Sequence, residues 1–225
     1  MPTLSPLPGQ RDLPCLVFLL ILLSVIVGAL GILASMLYHL QSGTMGWDFR
    51  PSGLGNYLIS PLAWVYNAAL IWAGLWLMLA MLALGFAKPQ FPDLYLPLSG
   101  GWLGVTVSLM GIFPEHYGAL HSALAVCFTL GMAVTHALVL AARFKGNIHY
   151  ASPLLMLLSL LGLGCAIPIL GLVDWPKFAL MICPPTPAQP CLLDVLLWLQ
   201  LVLGMLWCLV LAGNIRRKVR TRPEF

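Results

Sequence analysis

The stretch LLDVLLWLQLVLGMLWCLVLA, Leu192–Ala212, and the basic run RRKVRTR, Arg216–Arg222, that closely follows it carry the architecture of this chain. An apolar run of about 20 residues is the length a helix needs to cross a bilayer core. A cluster of Arg and Lys behind such a run stops transfer and stays on the cytoplasmic side. Five more runs of similar length precede it: Leu16–Tyr38, Leu62–Phe86, Leu94–Phe113, Ala119–Ala142 and Pro153–Val173. Apolar runs without strict alternation satisfy their backbone in lipid as helices rather than barrel strands. The expectation is an all-α integral membrane bundle of six transmembrane helices forming one domain over residues 1–225, with 213–225 as a basic tail.

The charges orient it. Arg11, Lys88, Arg143, Lys145, Arg216, Arg217, Lys218, Arg220 and Arg222 fall in the two ends and the second and fourth connections, whereas Arg50 and Lys177 alone fall in the others. The positive-inside rule then predicts a multi-pass protein of the cell (cytoplasmic or inner) membrane, with both termini cytoplasmic. The first apolar run exceeds a signal-peptide core and is read as a true helix.

At 225 residues, 60% hydrophobic and 8% charged, the chain is nearly consumed by its spans. That excludes a soluble catalytic domain, and any site must be built from helix ends and connections. The net charge of +4 comes almost entirely from the tail, which suits anionic lipid headgroups. No folded basic surface accompanies it, so membrane lipids rather than nucleic acid are the expected partners, with protein partners unspecified.

The first outward connection, His39 to Pro61, is long and sparsely charged and is expected to lie on the bundle as a partly ordered cap. The second, Pro114 to Gly118, is a tight turn that makes its helices antiparallel neighbours. The third, Asp174 to Pro190, is proline-rich and cannot be helical throughout. Trp47, Trp64, Tyr117 and Trp175 fall near the outer boundary, where amphipathic rings gather. Cys183 and Cys191 flank a short loop outside the cytoplasm, where a disulfide is permitted and contributes about 2–3 kcal/mol by chain entropy. Gly28, Gly31, Gly100, Gly101, Gly104, Gly162 and Gly164 let helices approach closely. Cys15, Cys127, Cys165 and Cys208 read as small apolar residues.

The outer side gathers His39, Asp48, Glu115, His116, His121, Asp174 and Asp194. Three histidine ligands, His39, His116 and His121, around zinc would activate a water, with Glu115 as base and His121 as a second catalytic candidate. On one helix His116 and His121 stand about 140° apart, so they meet only if His116 lies in the turn. A structural hydrogen-bond network, or unlinked surface groups, accounts for the same residues. Asp194 also suits the positive end of a helix dipole. His121 and His136, about 60° apart in phase on one helix, could serve a haem, although a bis-histidine site needs matched histidines on a second helix. Otherwise His136 hydrogen-bonds a neighbouring helix. Asn67 and Gln200 are expected as interhelical hydrogen-bonding groups, and no polar lane supports transport.

Asn56-Tyr57-Leu58-Ile59-Ser60-Pro61-Leu62, then Tyr66-Asn67 and Gly74, and Gly111-Ile112-Phe113-Pro114-Glu115 followed by His121 and Phe128 are similar to an uncharacterised group of bacterial and archaeal six-helix membrane proteins. This is the family called domain of unknown function 998. The resemblance runs from the first helix to the last. It implies a fold and a membrane location, and it singles out Ser60, Asn67, Glu115 and His121. The function expected is a structural or lipid- or small-molecule-binding bundle with an outward polar site. The alternatives are a metal-assisted hydrolase of lipids or other amphiphiles and a haem-binding redox protein.

Overall fold

The computed structural model describes residues 13–46, 49–87, 94–144, 152–181 and 191–221. Its long elements are helices: α1 (Leu13–Gln41), α2 (Ala63–Ala87), α3 (Tyr95–Ile112), α4 (Ala119–Phe144), α5 (Pro153–Gly171) and α6 (Leu192–Thr221). All six are long and apolar enough to cross a membrane. Short 3-10 turns occupy Pro51–Gly55, Glu115–Tyr117 and Trp175–Lys177, and a two-stranded antiparallel hairpin pairs β1 (Val173–Asp174) with β2 (Ala179–Leu180). Arg11, Trp47, Asp48, Lys88, Lys145, His149, Cys183 and Arg222 lie outside the described residues.

The helices overrun the apolar stretches at several ends, because a helix does not stop where lipid contact stops. α1 continues to Gln41 and closes at Gly43, whose φ of 68° supplies the left-handed residue that ends many helices. There the backbone and hydroxyl groups of Ser42 and Thr44 cover the last carbonyls. α5 starts on Ser152, whose hydroxyl accepts from Leu155 N at 3.2 Å, with Pro153 in the first turn where its missing N–H costs nothing. Asn214 ties that cap to α6 through Nδ2 at 2.9 Å from Ser152 Oγ. The segment expected as a tail begins as helix: α6 runs on to Thr221, and Arg216 lies over the Phe18 ring at 4.7 Å.

Each helix packs on its neighbours in sequence and α6 returns onto α1, so the six form a closed ring. The α1–α2 and α2–α3 seams are the tightest, for a residue-level reason. Gly28 and Gly31 face Ala73 and Ala69, and a Cβ on Gly104 or Gly111 would meet a carbonyl oxygen of α2 at 2.8 or 2.6 Å. Ser24 Oγ donates to Ala73 O at 2.7 Å and Ser108 Oγ to Ile71 O at 3.2 Å, hydrogen bonds that also join these seams. Gly101 and Gly164, expected at such contacts, have open space where a Cβ would stand. Large apolar side chains such as Leu30, Leu98 and Leu160 are exposed on the outside of the ring.

The two ends of the ring differ. At the end carrying the chain termini, all six helices contribute to one core that includes Val17, Ile21, Met81, Leu96, Val139, Leu155, Trp207 and Leu211. At the opposite, capped end, the buried apolar cluster is small, centred on Ile32, Leu54 and Tyr66. The described part of the first connection lies on the bundle over it, as expected: Leu54 is buried and Trp198 Nε1 donates to Phe49 O at 2.8 Å, holding the connection on α6.

Candidate binding cavity

Inside the capped half lies a cavity of about 570 Å³, lined by α1, α2, α3, α4 and α6 and by the connections above them. That volume falls within the range of small-molecule sites, roughly 300–1,000 Å³. On α4 the lining runs from Ala119 to Met132 and on α6 from Leu197 to Cys208. These intervals are thirteen and eleven residues, so the cavity is about 16–20 Å deep at ~1.5 Å per helical residue. That is about half to two-thirds of a ~30 Å hydrocarbon core. The deep walls are mainly apolar, with Leu77, Leu103, Val107, Phe128 and Met132 among them; Ser24 and Thr129 there bond backbone carbonyls, and Gln200 adds an amide, while Arg50, Ser52, Glu115, His121 and Ser122 line the mouth.

The mouth is built by contacts across long sequence distances. Arg50 Nε donates to Asp194 Oδ1 at 2.6 Å and Arg50 Nη2 to Met181 O at 3.1 Å, joining the first and third connections to the start of α6. Asp194 is buried, so its carboxylate requires such a partner; the helix dipole is an addition to that pair. Leu180 N donates to Ser122 Oγ at 2.8 Å and fastens the hairpin to α4. Asn67 Nδ2 donates to Gly55 O at 2.8 Å, fixing the 3-10 turn on α2, and the next residue, Asn56, holds Leu58 N through Oδ1 at 2.9 Å. Asn56 Nδ2 reaches Glu115 Oε2 at 3.5 Å, a long contact. Ser60 is buried and closes the turn into α2, its carbonyl accepting from Ala63 N at 3.1 Å.

His121 has a defined chemical state. Its Nδ1 lies 2.8 Å from Phe113 O, and a carbonyl can only accept. Nδ1 therefore carries the proton, and in the neutral ring Nε2 is left as an acceptor. With Glu115 on the same cavity, the mouth offers two acceptors to whatever lies there.

The other histidines do not join them. His39 is buried at the end of α1, its Nδ1 2.7 Å from Thr44 Oγ1 and its ring against Phe49 at 4.7 Å. His116 lies in the turn, the condition for meeting His121, but its exposed ring packs on Tyr57 and Tyr117 instead. Among the described residues no three His, Cys, Asp or Glu groups form a metal-binding set. The zinc arrangement of His39, His116 and His121 is corrected accordingly. His136 does not sit with His121 either. It is buried between Gly162 of α5 and the edge of Trp207 of α6, which fill the space a porphyrin would need. The hydrogen bonds expected of His136 and Gln200 are not formed among the described residues.

Asp174 pairs with Lys177 at 3.0 Å on the hairpin, the role of a surface acid. Cys191 is disulfide-bonded, while Cys183 lies outside the described residues; Cys15, Cys127, Cys165 and Cys208 are free. The sequence reading counted Arg50 as a topology marker and passed over Ser122 and Leu180. A single Arg in a sparsely charged connection was the available signal. No family model, no curated protein and no solved structure matches the chain, so neither the site nor the resemblance to the domain of unknown function 998 group gains support from a relative.

Proposed function

We propose that the protein is a multi-pass cell-membrane protein, both termini cytoplasmic and the capped end outward, whose bundle binds an amphiphilic lipid or small molecule with its polar end at the mouth. The cavity carries this reading: about 570 Å³, mainly apolar in depth and with its charged groups at one end, it suits an amphiphile. Its depth of about half to two-thirds of a bilayer core lets an apolar chain enter without emerging at the other side. The orientation rests on Arg143, Arg216 and Arg217 at the terminal end, against Arg50 and Lys177, both ion-paired, at the capped end.

Extraction of protein purified in a neutral detergent, followed by mass analysis of the extract, tests the binding reading. One amphiphile near stoichiometry, depleted from the cavity-filling variants Ala125→Phe and Val107→Phe, is the expected result; equal amounts in the variants would refute it. A second reading, acid–base hydrolysis of an amphiphile, is favoured by one observation: His121 presents an acceptor Nε2 to the cavity beside Glu115. In that reading Nε2 takes the proton of a water attacking an ester carbonyl. Hydrolysis of long-chain esters that disappears in His121→Gln would favour it, and intact ester recovered from wild type would remove it.

A further inference from the structure

The capped end carries few charges, and their pairing is uneven. Its two basic residues among those described, Arg50 and Lys177, are each engaged by an acid, Arg50 by Asp194 at 2.6 Å and Lys177 by Asp174 at 3.0 Å. Glu115 is the acid left over. It lies at the cavity mouth, has no ion pair among the described residues, and touches Asn56 Nδ2 only at 3.5 Å. The second polar ring at the mouth, His121, offers an acceptor as well. The charge of Arg50, the cation that could have received an anionic head group, is paired with Asp194, and its Nη2 also donates to Met181 O. Beside Glu115 in the chain, the rings of His116 and Tyr117 pack on one another at 4.5 Å, with Tyr57 against His116 at 5.5 Å.

We infer that the bound amphiphile carries an ammonium group, seated on the Glu115 carboxylate and donating to it and to His121 Nε2, and that anionic head groups are rejected. This rests on the binding reading above, since it names what the cavity takes. Selection follows from charge and hydrogen-bond direction at Glu115 and His121 together. An ammonium supplies donors to these two acceptors and neutralises the carboxylate, whereas a carboxylate or phosphate placed there meets like charge and a second acceptor. The ammonium could belong to a membrane aminolipid or to a soluble long-chain amine, which share this chemistry.

The test uses the full chain in nanodiscs at neutral pH, with dodecylamine and dodecanoate as probes of equal chain length and displacement of a fluorescent amphiphile as readout. Dodecylamine is expected to bind at least about tenfold more tightly than dodecanoate. Glu115→Gln, isosteric and uncharged, is expected to erase that preference while circular dichroism remains unchanged. Equal binding of the two probes, or a preference that survives Glu115→Gln, would overturn the inference. If Ala125→Phe still blocks both probes in that case, the cavity reading stands without it. If Ala125→Phe and Val107→Phe block neither probe, both fall. Competition by nanodiscs containing phosphatidylethanolamine, but not phosphatidylglycerol, would assign the ammonium to a lipid. Preference for dodecylamine without such competition would assign it to a soluble amine. Either of those results supports the site.

Discussion

The two halves of the ring share helices and hydropathy but not volume. Towards the chain termini, the inward faces carry Leu20, Ile21, Met81, Leu84, Trp207 and Leu211, and the centre is filled. Towards the cap, inward positions of the same helices carry Ser24, Gly28, Ala73, Ala125 and Gly204, and the centre is a cavity. Small side chains bring seams together where they face another helix, as Gly28 does on Ala73. The same small side chains leave a void where several of them face the middle. One end is therefore filled and the other hollow, with the Arg50–Asp194 pair and the hairpin as the rim of the cavity.

Substitutions should separate the halves in a graded series. Gly74→Leu is expected to act most strongly, because a Cβ there already meets Ser108 and the Gly104 carbonyl on α3; loss of monodisperse protein in size-exclusion chromatography checks it. Next, Leu211→Ala in the filled half should lower stability by about 2–5 kcal/mol, the usual result of opening a cavity where neighbours cannot collapse. The fully buried Leu211 makes it a clean site for unfolding in mixed micelles. Asp194→Ala, which leaves Arg50 without its carboxylate, should cost about 3 kcal/mol. Partial exposure of the Arg50 side chain, 21%, keeps that figure at the low end of its range by letting water replace the lost partner. Leu197→Ala, on the cavity wall, should cost only about 1 kcal/mol, since it enlarges a space that exists. A loss as large as that for Leu211→Ala would mean that the capped half is packed after all. Smallest, Ser24→Ala should cost about 0.6 kcal/mol, typical of an interhelical hydrogen bond in a membrane bundle.

Helices were the legible part, because length and apolarity of a span are properties of a contiguous stretch. The tight turn before α4 and the cap on the bundle were legible for a related reason: Pro114 and Gly118 punctuate locally, and the first connection is too apolar to leave the surface. The cavity was not legible. A void depends on which face of each helix turns inward, and spans that are apolar all round do not declare an inner face. The rim pairing was hidden by distance, Arg50 and Asp194 being 144 residues apart in sequence. Glu115 and His121 were singled out from their place at one turn, and both line the mouth. His39 and His116 were grouped with them by level in the membrane alone, and level does not fix direction: one ring turns under Phe49 and the other outward onto tyrosines.

Native mass spectrometry of the intact protein, comparing wild type with Ala125→Phe, puts the cavity itself to trial. A single amphiphile adduct of defined mass on wild type, absent from an otherwise well-folded variant, is the predicted result. Wild type free of any adduct beyond detergent, or an adduct retained in full by the filled variant, would contradict it.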